Sequence, residues 1–388
     1  DSILEGLHQN YLKRLKNVIE LVNKNATGGL IVQKYGGSTV ASIDKIKSVA
    51  DHIKTCINDG HQLIVTISAM GSRTDELMSL ALEMSDSPPR RELDMLLTAG
   101  ERVSMALLSI ALHDRGVDSV SLTGSQCGIL TDQTHGNARI TKILGDRIRA
   151  GIKKNKVVIV AGFQGVSPVT KEVTTLGRGG TDLSAIALTA ALKADQCQLF
   201  KDVNGLMSAD PRLVKNAVHL PQVSWQTMNE MAWHGANVLH PRGAHLAKKY
   251  EIPFEIRSSS NFSSPGTTVK GSKKMEKPQV NSIAHLDEMN LIGLIISGTP
   301  GSAVLSKGIA WLWEKGEAPI LNTQIQIGEK KTYLTQLLPE SLTADFITYV
   351  RETANAQGGE CTEDTIISDL SCITIIGEGF QQSPEILE

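Results

Sequence analysis

An apolar run ends in a lysine in the stretch Ile31–Ser42, IVQKYGGSTVAS, and two glycines and two hydroxyls follow. A lysine is a compact point charge suited to phosphate oxygens. Gly36 and Gly37 would let backbone N–H groups approach an anion, with Ser38 beside them, and a helix starting after the loop would add its positive end. The same residues also fit a plain strand–turn–helix with a solvated lysine. A second run, IVTISAMGSRT (64–74), places Ser68, Gly71, Ser72 and Thr74 at another strand end. A third, TTLGRGGTDLSAIAL (174–188), sets Arg178 among glycines and Asp182 in a first helical turn. Arg178 has the fork geometry for a carboxylate. Asp182 suits either a helix cap or a cationic partner. The Walker signature GxxxxGK[ST] and the protein-kinase landmarks are absent, so any phosphate chemistry uses another scaffold.

The elements that must hold these residues alternate in type. Strands are expected at Leu30–Gln33, Gln62–Ile67, Ser119–Leu122, Val157–Ala161, Gln198–Lys201 and Pro253–Arg257, and helices at Ser42–Asn58, Glu92–Arg115, Asn137–Lys154, Thr181–Lys193 and Gly235–Tyr250. This rhythm predicts an α/β fold, a mainly parallel sheet sandwiched by helices, with ligands at the carboxyl ends of its strands. Ahead of it, Leu4, Leu7, Tyr11, Leu15, Val18 and Val22 mark an amphipathic helix within an N-terminal segment 1–29. The α/β domain is expected over 30–270. The polar stretch GSKKMEKPQ belongs to a linker over 271–280. From 281 the rhythm becomes βαββα, a smaller α+β domain: strand Leu291–Ser297, loop GTPGS, helix Ala303–Lys315, strands Ile320–Ile327 and Lys331–Leu337, and helix Leu342–Asn355. Strand Cys372–Ile376 is expected to open a further, unfinished unit.

Composition narrows the classes. With 41% hydrophobic and 21% charged residues the chain is an ordinary globular one, and 388 residues call for more than one domain. A net charge of −2 gives no basic surplus for nucleic acid or an anionic membrane, and no apolar run of transmembrane length is expected. Cys56, Cys127, Cys197, Cys361 and Cys372 are scattered without a CxxC pair, which argues against a zinc site or a disulfide framework and for a reducing cytoplasm or organelle interior. Opening on Asp1 rather than Met, the chain reads as an excised or processed product, and its acidic, amphipathic first residues do not read as a signal peptide.

Taken together, KYGGSTVA, TAGERVSMALL (98–108), LTGSQCGI (122–129), VVIVAGFQGV (157–166), TLGRGGTDLSA (175–185), KDVNGLMSADPR (201–212) and MAWHGANVLHPR (231–242) resemble, in order, the aspartate kinases of the amino-acid kinase family. The region after the linker resembles that family's paired ACT regulatory modules. The resemblance covers about residues 30–376 and implies ATP-dependent phosphorylation of the L-aspartate β-carboxylate, with Mg²⁺ accompanying ATP and no protein metal site. It implies that Lys34 neutralises charge on the transferring phosphoryl group and that Asp182 organises the reacting groups. Glu101 would hold the substrate's α-amino group, Arg178 its α-carboxylate, and Ser68 and Thr74 would line the pocket. Gly36, Gly37, Ser38, Lys201, Asp202, Met207, Asp210, Arg212 and Asn237 would serve the nucleotide. Asn237 stands where the family usually carries a lysine, and Met207 where an aromatic is common. The resemblance further implies a homodimer, a lysine or threonine effector, and a cytoplasmic location, or a plastid interior in a plant. Two other readings stay open: a same-fold kinase for another small acid, and a catalytically weak amino-acid sensor.

Overall fold

The computed structural model describes residues 28–236, 238–271, 279–317, 319–327 and 331–378, so the expected N-terminal helix and residue 237 lie outside the described residues. The chain folds as two units. One takes the chain up to Leu176, then Gly180–Asn204 and Ile252–Ser264; the other takes Gly177–Gly179, Gly205–Glu251 and the chain from Pro265 onward.

The first unit is built on six parallel strands: β1 (Leu30–Tyr35), β2 (Gln62–Ile67), β3 (Ser119–Leu122), β4 (Val157–Ala161), β5 (Gln196–Lys201) and β6 (Phe254–Ser258), in the order β6-β5-β1-β2-β4-β3. Apolar runs such as LIVQKY, QLIVTI and VVIVA are buried on both faces, the mark of a covered parallel sheet. On one face Tyr35, Val65, Ile67, Ile159 and Phe200 form a core with helices α1 (Ile43–Asn58) and α3 (Ala99–Asp114). Ser42 caps α1 by accepting the Lys45 N–H, and Ile46, Val49, Ala50 and Ile53 recur at helical spacing on its buried side. Helix α2 (Arg90–Leu97) leads into α3 through Thr98, whose N–H donates to the Asp94 carbonyl at 3.2 Å. By length and composition Arg90–Asp114 is apolar enough to cross a membrane, contrary to expectation, yet Met105, Leu108 and Leu112 belong to the core just described. On the other face, helix α4 (Gly180–Leu192) packs against β1 and β2 and is buried from Gly180 to Thr189, so it is apolar almost all round.

Residues 137–154, expected as one helix, divide instead. Ile140–Ile143 is a strand and Asp146–Lys153 a helix, separated by Gly145 at φ +72°. That strand pairs with Ile129–Thr131 in a small sheet with Gln164–Val166 and Val173–Thr175. The helix Arg73–Met84 was not expected either.

In the second unit, β7 (Gln279–Ser297), α5 (Gly301–Glu314), β8 (Asn322–Ile327), β9 (Lys331–Pro339), α6 (Glu340–Ala356) and β10 (Glu360–Glu378) make an antiparallel sheet of order β8-β9-β7-β10. This is the ferredoxin-like βαββαβ arrangement, one strand more than the sequence suggested. Its core joins Ile292, Leu294 and Ile296 to Val304, Leu312, Phe346 and Val350. Two expectations are corrected. Cys372–Ile376 is part of the continuous β10 and pairs with Ser282–Leu286 of β7. Positions 279 and 280, assigned to the linker, already belong to β7. Gly205–Glu251, which lies before the expected boundary at 270, groups with this second unit: Ile283 N donates to the Ser208 carbonyl at 2.8 Å, and Trp233 meets Trp313 edge to face with centroids 5.4 Å apart.

Candidate active site

The order β6-β5-β1-β2 reverses direction at β1, and the carboxyl ends of β1 and β5 flank that switch point, where open α/β sheets bind ligands. Lys34 and Lys201 stand at those two ends. Lys34 pairs with Leu199 in the ladder, and Lys201 follows Leu199 by two residues, so both lysines project from the same face. Helix α4 packs on that face and brings Asp182 in its first turn. Asp182 Oδ1 lies 2.8 Å from Lys34 Nζ, and Oδ2 accepts from Lys201 Nζ at 2.5 Å. The three side chains are 8%, 5% and 16% exposed for Lys34, Asp182 and Lys201.

Two ammoniums therefore share one carboxylate in a place with little water. Burial pushes the Lys34 ammonium down to about 8; Asp182 opposes that shift and Lys201 adds to it. Burial pushes Asp182 the other way, but the two lysines outweigh it and hold its carboxyl at about 2. Of the two readings of Asp182, helix cap or cation partner, the structure selects the second.

The loop after β1 is a short 3-10 turn, Gly37–Val40, and the Gly36 carbonyl accepts the Thr39 and Val40 N–H groups at 3.0 and 3.2 Å. A Cβ on Gly36 would sit 3.1 Å from Lys34 Nζ, and one on Gly37 would sit 3.0 Å from the carbonyl oxygens of both Ala69 and Gly71. Glycine is what lets this loop crowd the ammonium and the β2 loop. Ser38 is exposed, and its carbonyl accepts from Lys45 Nζ at 2.8 Å. Ser68 donates to Thr181 Oγ1 at 3.0 Å, tying the β2 loop to the first turn of α4, and Thr74 is half-buried at the start of Arg73–Met84.

Glu101 lies in the first turn of α3 and is 3% exposed. Its Oε1 accepts the Ala69 N–H at 3.1 Å, and its Oε2 is buried without a hydrogen-bond partner among the described residues. Gly100 permits the approach, since a Cβ there would sit 2.7 Å from that of Ala69. Burial pushes the Glu101 carboxyl up to about 7, against the pull of the backbone N–H bonds.

The structure thus gathers Lys34, Gly36, Gly37, Ser68, Glu101, Asp182 and Lys201 on the first unit, with Asp202 exposed just beyond β5. Arg178, Met207, Asp210 and Arg212 belong to the second. There Arg178 is exposed, and a Cβ on Gly316 would come 3.2 Å from its Cδ. Met207 lies in the short strand Leu206–Met207, paired with His219–Leu220. Arg212 forks onto Asp210, with Nη2 2.6 Å from Oδ2, and holds that carboxyl down at about 2. Asn237 lies outside the described residues. The sequence reading gave Lys201 to the nucleotide and missed its pairing with Asp182. It also missed Phe163, which follows β4 at φ +67° with its N–H donating to Ser184 Oγ at 3.2 Å. A bulky residue at positive φ is a strained position of the kind found at functional sites.

A parallel sheet that gathers two lysines and a carboxylate at its switch point defines an α/β protein built to receive an anion. Comparison with known proteins gives the class a name. The sequence model of the amino acid kinase family matches residues 29–258. The chain is 42% identical over 359 residues to aspartokinase 2 of Bacillus subtilis, covering 92% of this chain and 86% of that one. It is 48% identical over 268 residues to the aspartokinase of Geobacillus stearothermophilus, covering 69% of this chain and 65% of that one. Among solved structures, E. coli aspartokinase III in complex with aspartate and ADP superposes with a TM-score of 0.72 at 22% identity, covering 91% of this chain and 89% of that one. Aspartate kinase from Synechocystis gives 0.57 at 36% identity, covering 90% of this chain and 60% of that one. The chain belongs to the amino acid kinase family and groups with its aspartokinases.

Proposed function

We propose that the chain phosphorylates the β-carboxylate of L-aspartate with ATP, giving 4-phospho-L-aspartate and ADP. The observation that carries this reading is the charge imbalance at the switch point: two ammoniums, Lys34 buried and Lys201 largely so, face one carboxylate, and burial, with Lys201 adding to it, lowers Lys34 to about 8. A bound phosphoryl group supplies the missing anion. The aspartokinases among the relatives and the aspartate and ADP named for the E. coli structure support the substrate pair.

In this reading a β-carboxylate oxygen attacks the γ-phosphorus. The bond from phosphorus to the bridging oxygen breaks, and its electron pair leaves with ADP. Phosphoryl transfer asks for positioning and charge neutralisation more than for covalent chemistry. Lys34 faces the transferring group, Lys201 holds the far side of Asp182, and Asp182 fixes both ammoniums in place. Gly36 leaves room beside Lys34 that a side chain would fill. Glu101 receives the substrate ammonium on its unpartnered Oε2. A Mg²⁺ accompanying the nucleotide would be held mainly by its phosphate oxygens and water.

The ferredoxin-like second unit is the proposed regulatory part. The loop Gly298–Pro300 between β7 and α5 turns at Gly298, φ +79°, and with the start of α5 would offer backbone groups to a free amino acid such as lysine or threonine. An E. coli aspartokinase III structure in complex with lysine and aspartate, of the same fold, supports this assignment.

The test is L-aspartate-dependent release of ADP, with hydroxylamine trapping of the acyl phosphate as hydroxamate. Formation of both supports the reading. ADP release with another small acid but not with aspartate overturns the substrate, and no ADP release with any acid overturns the kinase.

A further inference from the structure

A second buried carboxylate lies outside the chemistry described so far. Asp94 in α2 has no exposed surface, yet it is fully satisfied. Its Oδ2 accepts from His135 Nδ1 at 2.6 Å, its Oδ1 from Thr175 Oγ1 at 2.6 Å, and both oxygens lie near Gly136 N, at 3.1 and 3.3 Å. The carboxylate accepts, so His135 carries its proton on Nδ1. A carboxylate this deep is held only at the expense of donors brought to it from elsewhere in the chain.

Those donors come from two separate places, the loop at 134–136 and the strand Val173–Thr175. The loop is itself fastened to that strand, since Ala138 N donates to the Thr175 carbonyl at 2.8 Å. The second ring nitrogen of His135 lies 3.4 Å from Glu172 Oε2, and Glu172 Oε1 lies 3.4 Å from Arg91 Nε. The chain Asp94–His135–Glu172–Arg91 therefore closes back on α2.

Asp94 precedes Glu101 by about two helical turns, so both fall on one side of the α2–α3 run. Asp94, Leu97, Glu101, Ser104, Leu108 and Leu112 form a single buried stripe. A clamp on Asp94 fixes the rotation and axial position of that run, and with them the place of Glu101 Oε2. Displacements of about 1 Å at a substrate-orienting group reduce rates by about a hundredfold.

We propose that Asp94, held by His135 and Thr175, is a positioning residue that sets Glu101 for the substrate's amino group. This rests on the reading of Glu101 as the ammonium ligand. The test compares Thr175→Val, Thr175→Ser, His135→Phe, His135→Asn and Glu101→Gln in the full chain by steady-state kinetics and thermal unfolding. Thr175→Val keeps shape and removes a donor, Thr175→Ser restores it, and His135→Asn keeps an N–H near the Nδ1 position. The expected result is an aspartate KM raised about tenfold in Thr175→Val and His135→Phe, with the ATP KM within about twofold of the parent. The serine and asparagine variants return toward the parent. Equal rises in both KM values, or a lowered Tm with both KM values unchanged, overturn the proposal, as does an impaired Glu101→Gln beside normal aspartate binding in Thr175→Val and His135→Phe. An unchanged aspartate KM in Glu101→Gln overturns the reading of Glu101 and this proposal with it. If His135→Phe does not fold, the Thr175 pair decides.

Discussion

At the scale of single residues, the proposed site consists of charges held where water would normally solvate them. Lys34 neutralises phosphate only while protonated, and at about 8 it deprotonates within reach of ordinary assays. We expect kcat/KM for ATP to fall as pH rises through about 8, and Lys34→Ala to lose on the order of a hundredfold or more in kcat, as when one transition-state donor is removed. A flat profile to pH 9.5, or a Lys34→Ala enzyme with most of its kcat, refutes the role. Glu101 titrates in the opposite sense. Its carboxyl is raised from 4.5 to about 7, so between those values the folded chain keeps a proton that the unfolded chain has released. Stability from this group is present below pH 4.5 and lost as pH rises through about 7. Glu101→Gln should therefore raise Tm when measured above pH 7, an effect bounded at on the order of 3 kcal/mol by the linkage between pKa and free energy. The same change should raise the aspartate KM at least about tenfold while the ATP KM stays put. A lowered Tm at pH 8 contradicts the account of its burial.

At the scale of elements, what was legible in the sequence was the short apolar strand that alternates with helices. The strands Gln62–Ile67, Ser119–Leu122 and Val157–Ala161 have the residue limits that their apolar runs suggested. The short strands Ile129–Thr131 and Gln164–Val166 were not legible, because they exist only through pairing with distant segments. The candidate site divides in the same way. Lys34 and Asp182 could be singled out because a cation before glycines and an acid in a first helical turn are local patterns. The convergence of Lys201 on Asp182 depends on a ladder register between β1 and β5, which no local pattern reports. The loop glycines give the prediction for this scale. Gly37→Ala would place a methyl 3.0 Å from the carbonyls of Ala69 and Gly71, tighter than most real Cβ contacts. These are backbone atoms fastened by Gly71 N donating to Gly37 O at 3.0 Å, so the loop and not a flexible side chain must move. We expect kcat/KM for ATP to fall at least about tenfold with a Tm loss of only a few degrees; an unchanged kcat/KM would show that the loop does not cradle phosphate.

At the scale of the whole molecule, sequence rhythm placed a boundary near residue 270, but tertiary contacts put Gly205–Glu251 with the C-terminal sheet. Asn281 Nδ2 donates to Thr227 Oγ1 at 3.2 Å, and a Cβ on Gly235 would sit 2.6 Å from the His285 carbonyl oxygen. A cut near Gly271 would strip these partners from Thr227 and Gly235, so point changes are the sounder probe of the second unit. The homodimer that the family resemblance implies is best examined at the sheet's edge. Strand β8 is outermost in the order β8-β9-β7-β10, all six of its residues are exposed, and Ile325 and Ile327 are 58% and 50% exposed. An edge strand carrying apolar side chains is a template for pairing with another chain unless a charge or a cover blocks it. A lysine within the strand is the device natural sheets use for that purpose. If a second copy pairs along β8, Ile325→Lys should weaken the dimer at least tenfold, about 1.4 kcal/mol, and shift sedimentation toward monomer at micromolar concentration. Tm at high protein concentration should change little, because Ile325 lies outside the core that joins Ile292 and Leu294 to Phe346. An unchanged sedimentation profile in the Ile325→Lys, Ile327→Lys double variant places any dimer contact away from this edge.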